Sequence, residues 1–412
     1  MTDPVTVTDI RRARERFDPD IVRETPVERS RSLSATSGAD VRLKLEHLQR
    51  TGSFKTRGAS NKLHEVVAAG EGDGGERAER VVAASAGNHA QGVALAASNA
   101  GIPATVVMPA DAPQAKVDAT RGYGAEVILH GQEFQQAVAR ARDLAAEPGT
   151  VFVHAYDDPA IVAGQGTLGL EVAEQVPDLD TVIAPIGGGG LIAGVATALA
   201  AVAPEVRVVG VQAEEAATVP DSLAKGEPVA REHTRTIADG IATGGVADLT
   251  YDLIERHVDE VVTVSDDEIS HALLTLLQRA KQLVEGAGAA SVAALLSGEL
   301  DVSGETVVPL LCGGNIDMSM LDTVLEHALT DRDQLLRLRV RIEDEPGELS
   351  TLSTVLAERG ANVRHVRHDR AVEDLRVGEA YLVFEVTAAG REHASSLLAA
   401  IRERDYEVAR IN

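Results

Sequence analysis

Through the middle of the chain, short apolar runs rich in Val, Ile and Ala alternate with Ala-rich segments of helical length. Residues 81–85, 104–108, 126–129 and 150–153 have the length and β-branched content of buried strands. Between them, 90–100, 113–121 and 132–146 read as helices, the first closed by Gly101. Residues 181–186, 191–202 and 206–211 repeat the strand–helix–strand alternation, and a further strand is expected over 307–311. This alternation with short connections predicts mostly parallel sheets covered by helices on both faces. The segment 70–80, GEGDGGERAER, reads as a charged, glycine-rich surface loop.

Residues 181–204 form 24 consecutive positions without a formal charge, long enough to suggest a membrane span. Pro185 and four consecutive glycines, Gly187 to Gly190, break a helix there. The helical remainder is too short to span, so a buried strand, a glycine turn and a buried helix are expected instead, and no membrane partner.

The texture changes after about residue 328. Residues 336–342 alternate apolar and charged side chains, as a half-buried strand does. A turn over 344–349 (DEPGEL) precedes an amphipathic helix over 350–359 closed by Gly360; strand, strand, helix and strand follow over 363–368, 379–387, 393–404 and 408–411. That βαββαβ order is ferredoxin-like. The expected organisation is an α/β body over 1–328, with a smaller subdomain of about 50–150 inserted in it, a linker over 329–335, and a separate unit over 336–412.

Charge narrows the partners. The 412 residues hold 64 Asp or Glu against 39 Lys or Arg, a net of −25, and only six of the basic residues are Lys. Such a chain repels nucleic acid and anionic lipid. Residues 336–412 are near balance at −2, so −23 falls on residues 1–335. The acid excess with scarce Lys suggests a halophilic surface, adapted to a salt-rich cytoplasm. With 44% hydrophobic residues a substantial core can form. The single Cys excludes an internal disulfide and a Cys-rich metal site. Residues 1–16 have no apolar h-region, so no signal peptide is read and a cytoplasmic location is expected.

Four motifs carry candidate chemistry. In TGSFKTRGA, Lys55 stands where a loop enters a helix; it is either an ordinary surface Lys or an amine whose proton burial would remove. SAGNHAQG follows a strand and opens a helix, where backbone N–H groups bind anions, although Asn88 and Gly87 also suit a plain cap. GGGGL, Gly187 to Leu191, can bring backbone N–H groups close to a phosphate. The same stretch satisfies a dinucleotide fingerprint through Gly188, Gly190 and Ala193, with Glu214 about where a ribose-binding acid would sit. CGGN, beginning at Cys312, ends a buried strand, as core packing or as a ligand turn. His365 and His368 point to opposite sides of a strand and make a poor metal pair.

In this order the motifs resemble the fold-type II (tryptophan synthase β-like) pyridoxal-phosphate family, in its threonine ammonia-lyase branch. The resemblance spans about residues 9–325 and includes DDPAIVAGQGTLGLE over 157–171 and TIADGIA over 236–242. It resolves the glycine loop as a phosphate cup. The tail resembles an ACT domain, an amino-acid-sensing module, through DEPGEL.

The resemblance implies a catalytic domain of two open parallel sheets and pyridoxal 5'-phosphate as cofactor. It implies that Lys55 holds the cofactor and then removes the substrate Cα proton. Phe54 would lie against the pyridine ring, Asn88 would bond its phenolic oxygen, and Cys312 would stand beside its nitrogen. Gly187, Gly188, Gly189, Gly190 and Leu191 would hold the phosphate, and Ser85, Gly87, Asn88 and His89 the substrate carboxylate. A thiol at the ring nitrogen is a weaker partner than a carboxylate, which favours elimination of a β-hydroxyl over a long-lived carbanion. The implied reaction converts L-threonine to 2-oxobutanoate and ammonia, and L-serine to pyruvate. The near alternative is serine racemase; its second acid/base is a Ser at the position of Ala86 here, and a methyl group carries no proton. A more distant alternative is an amino-acid sensor with an inactive body. A monovalent or divalent cation at Glu214 is an open expectation, because Pro220 stands where a second acid of the racemase site belongs. A branched-chain amino-acid effector at the ACT unit and a homo-oligomeric assembly complete the expectations.

Overall fold

The computed structural model describes residues 4–70, 78–231 and 234–411. The chain divides into two compact units, Met1–Asp317 and Met318–Asn412. The charged loop expected over 70–80 lies mostly outside the described residues.

The first unit contains two sheets. One is built from β1 (Val27–Arg29), β2 (Asp40–Lys44), β7 (Thr181–Pro185), β8 (Arg207–Ala213), β9 (Glu260–Val264) and β10 (Thr306–Pro309), in the order β1-β2-β10-β7-β8-β9. Only the β1–β2 pair is antiparallel. The other sheet is parallel throughout, from β3 (Arg80–Ala84), β4 (Ala104–Met108), β5 (Glu126–Leu129) and β6 (Thr150–Phe152), in the order β5-β4-β3-β6. All five residues of β4 and all five of β7 are buried, which is why they read as largely apolar runs, each with one Thr, rather than alternating ones.

Residues 181–204 form the expected strand, glycine turn and helix, the helix running Gly190–Val202. Among the described residues, no helix is long and apolar enough to cross a membrane. Helix Pro159–Gln175 starts with Asp158 accepting from Ala160 N–H at 2.8 Å and with Pro159 in its first turn. It is buried along most of its length, and its glycines let neighbouring backbones approach. A Cβ on Gly164 would lie 2.6 Å from Gly58 Cα, so the GQGTLGLE motif serves helix packing.

The second unit starts with helix Met318–Asp331. Its sheet comprises β11 (Leu335–Glu343), β12 (Asn362–Asp369), β13 (Glu379–Thr387) and β14 (Glu407–Arg410), in the fully antiparallel order β12-β13-β11-β14. With helices Glu348–Glu358 and Arg391–Arg402 this is the ferredoxin-like βαββαβ topology. The packing division at 317/318 places helix Met318–Asp331 in the second unit, and residues 329–335 hold the helix end and the turn into β11. Asp333, at φ 55°, accepts from Arg391 and Arg410 at that turn.

Candidate active site

The candidate motifs leave the carboxyl ends of parallel strands, where open α/β sheets gather ligands. Residues 85–87 follow β3 and enter helix Asn88–Ala100. The glycine loop follows β7, and residues 310–315 follow β10. The loop before helix Lys55–Gly70 is strapped to this last segment. Phe54 N–H donates to Cys312 O at 3.1 Å, Gly314 N–H to Gly52 O at 2.9 Å, and Asn315 Nδ2 to Thr51 O at 2.6 Å.

One cavity of about 1350 Å³ is lined by Phe54, Lys55, Ser85, Gly87, Asn88, His89, Gly187, Gly188, Gly189, Gly190, Leu191 and Cys312. Ala86 also lines it, whereas the lining acid beyond β8 is Glu215 rather than Glu214. Glu214 is exposed, and among the described residues no three His, Cys, Asp or Glu side chains group as a metal site.

Lys55 Nζ donates to Ala155 O at 3.2 Å and lies 5.1 Å from the Phe54 ring centroid. Its desolvation brings the amine down to about 8. Burial, and then the Lys55 charge, push His89 down to about 3, so its ring is neutral. His89 Nε2 lies 3.0 Å from Val153 O, which turns the imidazole away from a carboxylate role and leaves only its backbone N–H for that. Burial keeps Cys312 a thiol, with Sγ donating to Ala287 O at 3.4 Å.

The glycine loop is shaped for close approach. Gly189 adopts φ +89°, a left-handed conformation, and caps helix Gly190–Val202. A Cβ on Gly188 would meet the Tyr156 ring at 2.2 Å, and one on Gly187 would meet Ile241 Cα at 3.0 Å. Thr250 Oγ1 donates to Gly188 O at 2.7 Å and holds the turn. Unpaired backbone N–H groups at a helix start suit a phosphate.

Tyr156, Glu285 and Glu46 lie outside the motifs, and Arg57 lies inside the first without having been singled out. Tyr156 faces the glycine loop. Glu285 accepts from Asn88 Nδ2 at 2.7 Å. Arg57 and Glu46, both 0% exposed, form a buried ion network with Glu171 and Lys44. A single charge in the otherwise uncharged run 283–296 is a visible signal for Glu285; nothing marks Tyr156.

A buried lysine amine that holds its proton weakly, a glycine cup too tight for any Cβ and a neighbouring helix start define an enzyme that holds a phosphorylated carbonyl cofactor, and these residues fit pyridoxal phosphate. The family model "Pyridoxal-phosphate dependent enzyme" matches residues 19–313, and the ACT-domain model matches 336–405. The chain therefore belongs to the pyridoxal-phosphate dependent enzymes and carries a C-terminal ACT domain. It is 43% identical over 404 residues to an L-threonine ammonia-lyase of Thermotoga maritima, covering 98% of this chain and 99% of that one. It is 45% identical over 323 residues to a catabolic L-threonine dehydratase of Escherichia coli, covering 78% and 96%. Among solved structures, threonine deaminase isoform 2 from Solanum lycopersicum superposes with a TM-score of 0.72 at 35% identity, covering 78% of this chain and 92% of that one. Maize serine racemase gives 0.72 at 35%, covering 79% and 98%.

Proposed function

We propose that this protein eliminates the β-hydroxyl of L-threonine and releases 2-oxobutanoate and ammonia, with L-serine converted to pyruvate at the same site. The observation that carries the proposal is the placement of Lys55 and the glycine cup in one cavity, together with full-length likeness to an L-threonine ammonia-lyase.

When bound, pyridoxal phosphate supplies an electron sink for charge forming at Cα. The chain's own groups do the rest. Backbone N–H groups of residues 187–191 would bind the phosphate, and Phe54 would pack against the ring. Asn88 directs a side-chain N–H at the phenolic oxygen. The Cys312 thiol, whose one hydrogen points at Ala287 O, would be at best a weak partner for the ring nitrogen, which would limit how long charge persists and favour loss of the hydroxyl. Ser85 and the helix start at Asn88 receive the substrate carboxylate. Lys55 would be released when the substrate amine takes its place; burial brings its amine down to about 8, so it sheds its proton far more readily than an ordinary lysine and would take the Cα proton as the free amine.

Serine racemisation is the second reading, favoured by the likeness to the maize enzyme. It needs an acid/base on the other face of Cα. Ala86 lines the cavity with a methyl group, which supports elimination.

The ACT unit supports control by an amino acid, a branched-chain one if the enzyme feeds isoleucine synthesis, with a catabolic or unregulated role as the alternative; the proposal includes a cytoplasmic homo-oligomer. The −23 on residues 1–335 supports activity in high salt. The test is turnover of L-threonine and L-serine with and without isoleucine or valine, at low and high KCl. A pyruvate and 2-oxobutanoate yield matched to ammonia is expected, with rates that change with effector and rise with KCl. Racemised serine without keto acid would overturn elimination, rates indifferent to amino acids would overturn the regulation, and full activity without salt would overturn the salt adaptation.

A further inference from the structure

Glu285 is a buried carboxyl, 5% exposed, that the reaction above does not use. It precedes helix Gly286–Ser297 and lines the active-site cavity. Its Oε1 accepts from Asn88 Nδ2 at 2.7 Å. On the other side of the same amide, Asn315 Nδ2 donates to Asn88 Oδ1 at 2.8 Å, and Asn315 is itself tied to Thr51 O at 2.6 Å. The space is made to measure: a Cβ on Gly313 would fall 2.2 Å from Glu285 Oε1.

These partners determine which way the Asn88 amide faces. Turned over, it would set its carbonyl oxygen against the Glu285 carboxylate and its NH2 against the Asn315 NH2. Two acceptors and two donors would then oppose one another. In the observed orientation one Nδ2 hydrogen goes to Glu285 and the other remains for the cavity. We propose that Glu285 is a positioning residue acting through Asn88, which holds the amide so that an N–H rather than a carbonyl meets the cofactor's phenolic oxygen, and that this hold loosens when Glu285 takes up a proton. The proposal rests on pyridoxal phosphate occupying this cavity.

The surroundings place that protonation in an accessible range. Burial and the Asp239 charge push Glu285 up to about 7, while Asn88, Lys116 and the Asn315 backbone N–H pull the other way. Lys116 is itself paired with Asp239 at 3.0 Å across the cavity mouth. Lys55 and Cys312 complete the titratable groups that face Glu285, and each feels its charge. Below neutrality the protonated carboxyl can donate to a turned-over Asn88 Oδ1, and half of the lock is gone.

The test uses the cofactor-loaded full chain. Wild type, Glu285→Gln, Asn88→Ala and the double variant are compared by visible absorption against pH, by bound cofactor, and by kcat and KM for L-threonine. The wild-type absorption band is expected to change across neutral pH and the Glu285→Gln band to stay constant there. The kcat of Glu285→Gln should fall about tenfold, as for loss of a charge-assisted hydrogen bond, with KM nearly unchanged. In the Asn88→Ala background Glu285→Gln should change neither spectrum nor kcat. Retention of the wild-type pH dependence by folded Glu285→Gln, or multiplication of the two variants' effects, would overturn the proposal. Should Glu285→Gln fail to fold, Asn88→Ala still decides, since a pH-dependent band in that variant shows Glu285 acting by another route. A wild type that takes up no pyridoxal phosphate overturns this proposal and the proposed function together. One that takes it up without consuming threonine overturns only the function, and the spectra still decide here.

Discussion

Arg57→Met is the sharpest perturbation of the scaffold beneath Lys55. The Arg57 guanidinium makes four hydrogen bonds to carboxylates. Nε and Nη2 reach Glu46 at 2.8 Å each, while Nη1 and Nη2 reach Glu171 at 2.6 and 2.8 Å. Lys44 Nζ adds a bond to Glu171 at 2.8 Å, so two buried cations face two buried anions. Removing Arg57 leaves Glu171 with Lys44. Glu46, 0% exposed, keeps only Thr25 Oγ1 at 2.5 Å and long contacts from Gln49. A charge stranded in this way costs about 3–5 kcal/mol. The pH dependence follows from the same geometry. Burial pushes the Glu46 carboxyl up and Arg57 overrides it, so the folded value is depressed. In the wild type this group therefore contributes stability above its unfolded value and loses it as pH falls through the folded value. Without Arg57 only the Lys44 charge and the Thr25 hydrogen bond still oppose burial, so the folded carboxyl holds its proton more tightly than in the wild type and lowering pH costs the variant less. The gap in urea-unfolding midpoint between the two proteins should be widest near about pH 8 and shrink toward about pH 5. Glu46→Gln added to Arg57→Met should recover part of the loss. A loss below about 1 kcal/mol, or a gap that does not vary with pH, would refute the reasoning.

Two further outcomes follow from the site. Gly188→Ala should weaken pyridoxal-phosphate binding at least about tenfold, because its Cβ would overlap the Tyr156 ring at 2.2 Å; unchanged affinity in an equilibrium titration would show that the loop has room to spare. With the Lys55 amine at about 8, the rate at which cofactor-free protein takes up pyridoxal phosphate should climb about tenfold per pH unit below that value and level off above it. A rate still climbing well above it would mean that burial does not lower this amine.

The fold and most of the site were legible because they depend on local chain chemistry. Largely apolar runs without alternation marked β4 and β7 as buried on both faces, and glycines at strand ends marked the loops that form the cup. What stayed hidden depends on long-range approach. Glu285 and Asn88 are 197 residues apart, and no local pattern announces that one orients the other. Tyr156 matters through the ring it lays on Gly188, a contact that spacing does not encode. The glycines of residues 164–169 were visible as a motif, yet their work is to let helices touch. His89 lines the cavity as expected, and its ring lies on Val153 O, a partner that no spacing announces.

The central claim is that Lys55 performs amine chemistry on threonine in a cavity built for pyridoxal phosphate. Its most direct test is ammonia and 2-oxobutanoate release from L-threonine by the cofactor-loaded wild type and by folded Lys55→Ala. Equal molar release by the wild type, with a loss of at least about a thousandfold in Lys55→Ala, is expected. Wild-type rates in Lys55→Ala would contradict the account.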